Sequence, residues 1–271
     1  MDQRPIGVFD SGLGGLTAVR ELTKVLPGED VVYFGDTGRV PYGSRSKETI
    51  IKYARQDVAF LRTFDLKAVI IACGTVSTTS LDVLKEECPV PIWGVVESAA
   101  QAAAEVTKNG KIGLIGTEAS IRSGRYEAEI AQRAPEARVY AQACPLFVPM
   151  VENGRFRPGD AVIEIVADEY LHSLRSQGVD TLVLGCTHYP LLADVIGAYM
   201  GPDVALIDTG AKCVHQVAAE LKAWDALADP TRQGECRFYV SDRVEGFSRL
   251  ASIFLSRDVT ERVEQVDILK Y

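Results

Sequence analysis

The sequence predicts an α/β chain of two similar parallel-sheet domains facing each other across a cleft, and three observations predict it. Short β-branched runs alternate with longer helical patterns, which is how parallel βαβ units read. The plan occurs twice: "IGVFDSG" opens at Ile6 and "IGLIGTE" at Ile112, while the cysteine-ended strands "VIIACGTVS" and "LVLGCTHYP" recur at nearly the same spacing. Both of those strands stop at a small residue and pass straight into a cysteine, Cys73 and Cys186, at the carboxyl end where parallel sheets bind ligands.

In chain order, the strands are "IGVFD", "VVYFGD", "AVIIAC", "PIWGVV", "KIGLIG", "TLVLGC" and "VALID". Ser46 is a natural N-cap for a helix whose Ile50, Ile51, Ala54, Val58 and Leu61 recur at helical spacing. Ser98 is expected to open "SAAQAAAEVTKNG" and Gly110 to close it. Asp160 caps "AVIEIVADEYLHSLRSQ", which Gly178 terminates. The segments "ALIDTG" and "RFYVSD" are left over after the second copy, so the chain is expected to return to its first domain. The boundaries expected are 1–97 plus 210–271 for the first domain and 98–209 for the second.

A length of 271 residues allows one or two domains with a substantial core, and 47% hydrophobic with 24% charged residues reads as globular. No apolar stretch reaches the roughly 18 residues that span a bilayer. "MDQRPIGVFD" enters a strand without signal-peptide character, so a cytoplasmic location with no membrane partner is expected. The net charge of −8 and the lack of a basic stripe argue against nucleic acid. Six cysteines without C-x-x-C spacing read as thiols, of which Cys88, Cys144, Cys213 and Cys236 are taken as structural.

Two opposed thiols suit inversion of a carbon acid. One removes a proton from one face of a planarising carbon, and the other delivers a proton to the opposite face. A thiol's ordinary pKa of about 8.5 is near enough to neutral for one group to act as thiolate and the other as thiol. Asp10, at the end of the first strand, and His188, two residues beyond Cys186, are the neighbours available to tune them.

"FDSGLGGLTAVRE", "VPYGSRS", "ACGTVS", "GTEASIRSG", "CPLFVPMVE" and "GCTHYPLL" resemble the glutamate racemases of the aspartate/glutamate racemase superfamily, over essentially the whole chain. The resemblance implies flavodoxin-like domains related by pseudo-twofold symmetry with the active site between them. It implies interconversion of L- and D-glutamate for peptidoglycan synthesis, no cofactor, no metal, and a homodimer. Carried over residue by residue, Cys73 would take the proton of the D-isomer and Cys186 that of the L-isomer. Asp10 would assist Cys73, and His188 backed by Glu152 would assist Cys186. Asp10, Ser11, Pro41, Tyr42, Gly43, Gly74, Thr75, Thr187 and His188 would hold the substrate, hydroxyls and helix N-terminal amides serving its carboxylates.

One departure concerns Gly74, where the family carries asparagine. Glycine offers only backbone and extra room, and losing one hydrogen bond to a charged group costs about 1.5–3 kcal/mol. A racemase for another acidic amino acid such as aspartate is therefore the nearest alternative. Two thiols count against a related one-thiol decarboxylase. Some racemase relatives also restrain DNA gyrase, but nothing in the sequence encodes that contact. A zinc site from Cys73, Cys186, His188 and His215 lacks tightly paired ligands. His172 and His215 read as surface or packing residues. The glycines at 12, 14 and 15 do not make a dinucleotide loop, because Thr17 stands where the third glycine belongs.

Overall fold

The computed structural model of the chain describes residues 1–255 and 263–271; residues 256–262, inside the expected first domain, lie outside the described residues. The first half builds β1 (Ile6–Asp10), α1 (Leu16–Val25), β2 (Val31–Gly35), α2 (Lys47–Leu61), β3 (Ala68–Ile71), α3 (Gly74–Thr79), α4 (Leu81–Glu87), β4 (Ile92–Gly94) and α5 (Val95–Val106). The second builds β5 (Lys111–Gly116), α6 (Glu118–Arg122), α7 (Arg125–Arg133), β6 (Arg138–Ala143), α8 (Phe147–Glu152) and α9 (Ala161–Gln177). It continues through β7 (Thr181–Leu184), α10 (Ala193–Met200), β8 (Ala205–Asp208) and α11 (Thr209–Ala223). The chain then adds β9 (Cys236–Val240), α12 (Val244–Leu255) and β10 (Val263–Gln265).

Both sheets are parallel throughout, and they repeat one strand order. The first runs β10-β9-β2-β1-β3-β4 and the second β6-β5-β7-β8. In each, the first strand lies between the second and third: Ile6 pairs with Val31 and Ala68, as Ile112 pairs with Val139 and Thr181. The chain order reverses there, which is where such sheets open a crevice at their carboxyl ends. The central strands are buried on both faces, which explains why β1, β3 and β7 are mostly apolar along their length rather than alternating.

The chain passes from one sheet to the other through α5 and leaves the second sheet through α11, and these two helices pack on each other. β8 hydrogen-bonds β7, so "ALIDTG" is not surplus but the fourth strand of the second sheet; only "RFYVSD" joins the first, through β9 on β2. No helix among the described residues is long and apolar enough to cross a membrane.

The expected caps at Ser46 and Asp160 are present: Ser46 Oγ accepts from Thr49 N at 3.3 Å and Asp160 from Val162 N at 3.0 Å. Gly178 ends α9 in the left-handed region, at φ 71°. Ser98 does not open its helix. Gly94 caps α5, whose first amide, Val95 N, donates to Ser77 Oγ at 3.2 Å, so a neighbouring element supplies the acceptor. Nor does Gly110 close it. The helix stops at Thr107, where the Asp180 carboxylate accepts from Thr107 Oγ1, Lys108 N and Asn109 N, each at 2.7 Å.

Candidate active site

Each cysteine sits two residues beyond its strand. The amide of Ala72 extends the β3 ladder to Phe9 O at 2.9 Å, and that of Gly185 extends β7 to Ile115 O at 2.8 Å. Cys73 then caps α3, while Cys186 leads through Thr187 and His188 into the 3-10 turn Tyr189–Leu192. Both thiols are buried and line one cavity of about 480 Å³. Ser11, Pro41, Tyr42, Gly43, Gly74 and Thr75 line its first-sheet wall, and Glu152, Thr187 and His188 the opposite one.

Asp10 is absent from that lining. It lies fully buried beneath Ser11, accepting from Gly12 N at 3.1 Å and Thr187 Oγ1 at 3.3 Å. Burial raises its carboxyl, against the pull of His188 and the amides of Gly15 and Gly12. Cys73 Sγ donates to Ser11 Oγ at 3.4 Å. Burial, with the Asp10 charge behind it, pushes this thiol up to about 12.

The other thiol has a different environment. His188 Nδ1 lies 3.9 Å from Cys186 Sγ, and its Nε2 lies 3.0 Å from Glu152 Oε1 at the end of α8. Burial alone would lower the imidazole's pKa; the contacts to Cys186 and Glu152 outweigh it and hold the ring up to about 10. Phe254 of α12 meets the ring edge-on, centroids 5.7 Å apart, which fixes its plane. A protonated His188 offers one N–H to the sulfur and one to the carboxylate.

Two glycines mark the closest approaches between the walls. A Cβ on Gly74 would collide with Gly185 O, so the extra room expected beside Gly74 is filled by backbone from the second sheet's cysteine turn. A Cβ on Gly14 would collide with Thr187 Oγ1 and lie 2.6 Å from His188 Nδ1. Gly14 of the "GLGG" segment therefore serves contact with the "CTHY" turn.

The sequence missed several cavity residues. Cys144, taken as structural, lines the cavity together with Val148 and Pro149. So does Thr117, whose hydroxyl lies 3.0 Å from Thr75 Oγ1. Thr117 also caps α6, and a cap explains its presence in sequence without any site. The motifs "GTEAS" and "CPLFVPMVE" carried the available signal. Of the remaining histidines, His215 pairs with Glu21 at 3.1 Å on the surface, and His172 is exposed on α9. Among the described residues, no three His, Cys, Asp or Glu side chains are grouped to hold a metal ion.

Residues 14–217 match the model of the Asp/Glu/hydantoin racemase family, a class consistent with two parallel sheets sharing a cleft with a thiol from each. A glutamate racemase of Geobacter metallireducens is 45% identical over 255 residues, 94% of each chain. One from Thermoanaerobacter pseudethanolicus is 44% identical over 100% of both chains. The crystal structure of glutamate racemase from Francisella tularensis in complex with D-glutamate superposes with a TM-score of 0.92, at 37% identity and 100% coverage of both. The chain belongs to the Asp/Glu/hydantoin racemase family, among its glutamate racemases.

Proposed function

We propose that this chain interconverts L- and D-glutamate by passing a Cα proton between Cys73 and Cys186, with no cofactor, and so supplies D-glutamate for peptidoglycan. One observation carries the reading: two buried thiols stand at equivalent strand ends of two like-ordered sheets and line the same cavity. The environments differ in a way that suits the chemistry. Cys73, pushed up to about 12, rests as the proton donor. Cys186 Sγ lies 3.9 Å from Nδ1 of an imidazole held up to about 10, and a proton donor beside the sulfur suits it to the role of base. L-Glutamate then loses its proton to Cys186 and receives one from Cys73 on the opposite face; D-glutamate runs the sequence in reverse.

Glu152 keeps His188 charged and oriented, and Asp10 fixes the Ser11–Gly12 turn beside Cys73. Thr75, Thr187 and the backbone around Ser11 and Gly43 supply donors for the substrate carboxylates. Relatives at 44–45% identity are glutamate racemases, so aspartate as substrate is not favoured. The proposal includes a cytoplasmic homodimer, on the family resemblance, and sedimentation at twice the chain mass tests the dimer.

Incubation with L-glutamate in D2O is expected to abolish optical rotation as deuterium enters at Cα. Cys73→Ala and Cys186→Ala should each stop inversion while keeping the folded circular-dichroism spectrum. Near-normal turnover in either variant refutes the two-thiol assignment.

A further inference from the structure

The loop that gives the cavity Pro41, Tyr42 and Gly43 is held from behind by a buried cluster. The Tyr42 hydroxyl contacts two carboxylates: Asp36 Oδ2, just past β2, and Asp57 Oδ2 on α2, the latter at 3.0 Å. Both acids are fully buried. Arg39 bridges them, with Nε 2.6 Å from Asp36 Oδ2 and Nη2 2.8 Å from Asp57 Oδ1. Its Nη1 donates to Gln56 Oε1 at 2.5 Å.

The donors around each acid bear on the charge of this cluster. Asp36 accepts on both oxygens: Oδ2 from Arg39 and Tyr42, Oδ1 from Ser241 Oγ at 2.7 Å. Ser241 Oγ in turn accepts from Gly38 N at 2.8 Å, so its own proton goes to Asp36. Tyr42 has one proton for two carboxylates; Asp36 faces three donors, Arg39, Tyr42 and Ser241, whereas Asp57 Oδ2 meets the phenol, so the anion and the phenol proton belong with Asp36. The 3.0 Å contact between Tyr42 and Asp57 oxygens is a hydrogen bond only if Asp57 carries the proton. The charges agree. Two ionised acids against one guanidinium would bury an unpaired negative charge, whereas one proton makes the cluster neutral.

We propose that Asp57 is a neutral, protonated carboxylic acid that donates to the Tyr42 oxygen and thereby positions the substrate-binding loop. Burial first, and the Asp36 charge second, hold its carboxyl well above the usual range, and Tyr42 is likewise kept protonated. Asp57 is a positioning residue, and its link to substrate rests on the racemase reading above.

The infrared difference spectrum of wild type minus Asp57→Asn at neutral pH is expected to show the carbonyl stretch of a protonated carboxylic acid. Asparagine copies the neutral acid's shape and its donor, so Asp57→Asn should keep KM for glutamate within about twofold. Asp57→Ala removes the support and should raise KM roughly tenfold with a smaller effect on kcat. A carboxylate band in place of the acid band overturns the proposal. So does a KM in Asp57→Asn as high as in Asp57→Ala, or an unchanged KM in Asp57→Ala. If Asp57→Ala does not fold, the spectrum and Asp57→Asn still decide. Wild-type racemisation is measured first; its absence refutes the functional reading alone, and the infrared band still reports the proton on Asp57.

Discussion

Gly74 and Gly185 meet backbone to backbone across the cleft, and a Cβ on Gly74 would collide with the Gly185 carbonyl and lie 3.9 Å from Cys186 Cα. The bare backbone at position 74 therefore sets how near the two cysteine turns come. Gly74→Ala is expected to push them apart, costing about 1–3 kcal/mol in denaturant unfolding, as overpacking of a tight contact does. Gly74→Asn carries the same collision and should alter KM as well. Wild-type stability and kcat in Gly74→Ala would sink this account.

Gly14 makes the matching contact on the other side of the site. A methyl there displaces His188 Nδ1 from Cys186 Sγ, and misplacement of a catalytic group by about 1 Å costs about 10²-fold in rate. Gly14→Ala should lower kcat by that order in both directions while leaving the far-ultraviolet spectrum unchanged. An unaltered kcat would show that the imidazole position does not depend on Gly14.

His188 links pH to stability. Its folded pKa is raised, so the stability it contributes is fully present below about 6.5, its ordinary value, and is lost as pH rises through about 10. Wild type should lose its thermal-unfolding advantage over His188→Asn across that window. In Glu152→Gln the upper edge should move down, because one of the contacts holding the ring charged is weakened. A difference in Tm that stays flat from pH 6 to 10 contradicts the assigned protonation.

Far from the site, Lys67 Nζ lies 2.6 Å from Glu29 Oε2 with both side chains buried, and it also donates to the carbonyls of Asp2 and Ala226. Lys67→Met strands the Glu29 charge and should destabilise the chain by about 3–5 kcal/mol. KM for glutamate should stay at its wild-type value. Chemical denaturation followed by fluorescence measures the first, and steady-state kinetics the second.

Much of this molecule is written locally. Hydrophobic runs of strand length, helical periodicity after Ser46 and Asp160, and two cysteines at strand ends are properties of neighbouring residues, and all can be read along the chain. Sequence patterns failed where a distant group took over a local role. Ser77 replaced Ser98 as the acceptor for α5, and Asp180 ended that helix before Gly110. Cys144 looks like any core thiol until the end of β6 brings it to the cavity.

The membership of the site, two sulfurs with an imidazole and a carboxylate around one cavity, is legible in residue identities and motif spacing. Its dimensions and charge states are not. Gly74 is 111 residues from Gly185, Asp10 is 177 from Thr187, and Ser241 is 205 from Asp36. Contacts that remote exist only once both sheets are assembled, since desolvation and close approach belong to the packed chain and have no imprint on periodicity. That is why a glycine read as added room is a point of closest contact, and why Asp57, which no motif distinguishes, shares in supporting Tyr42.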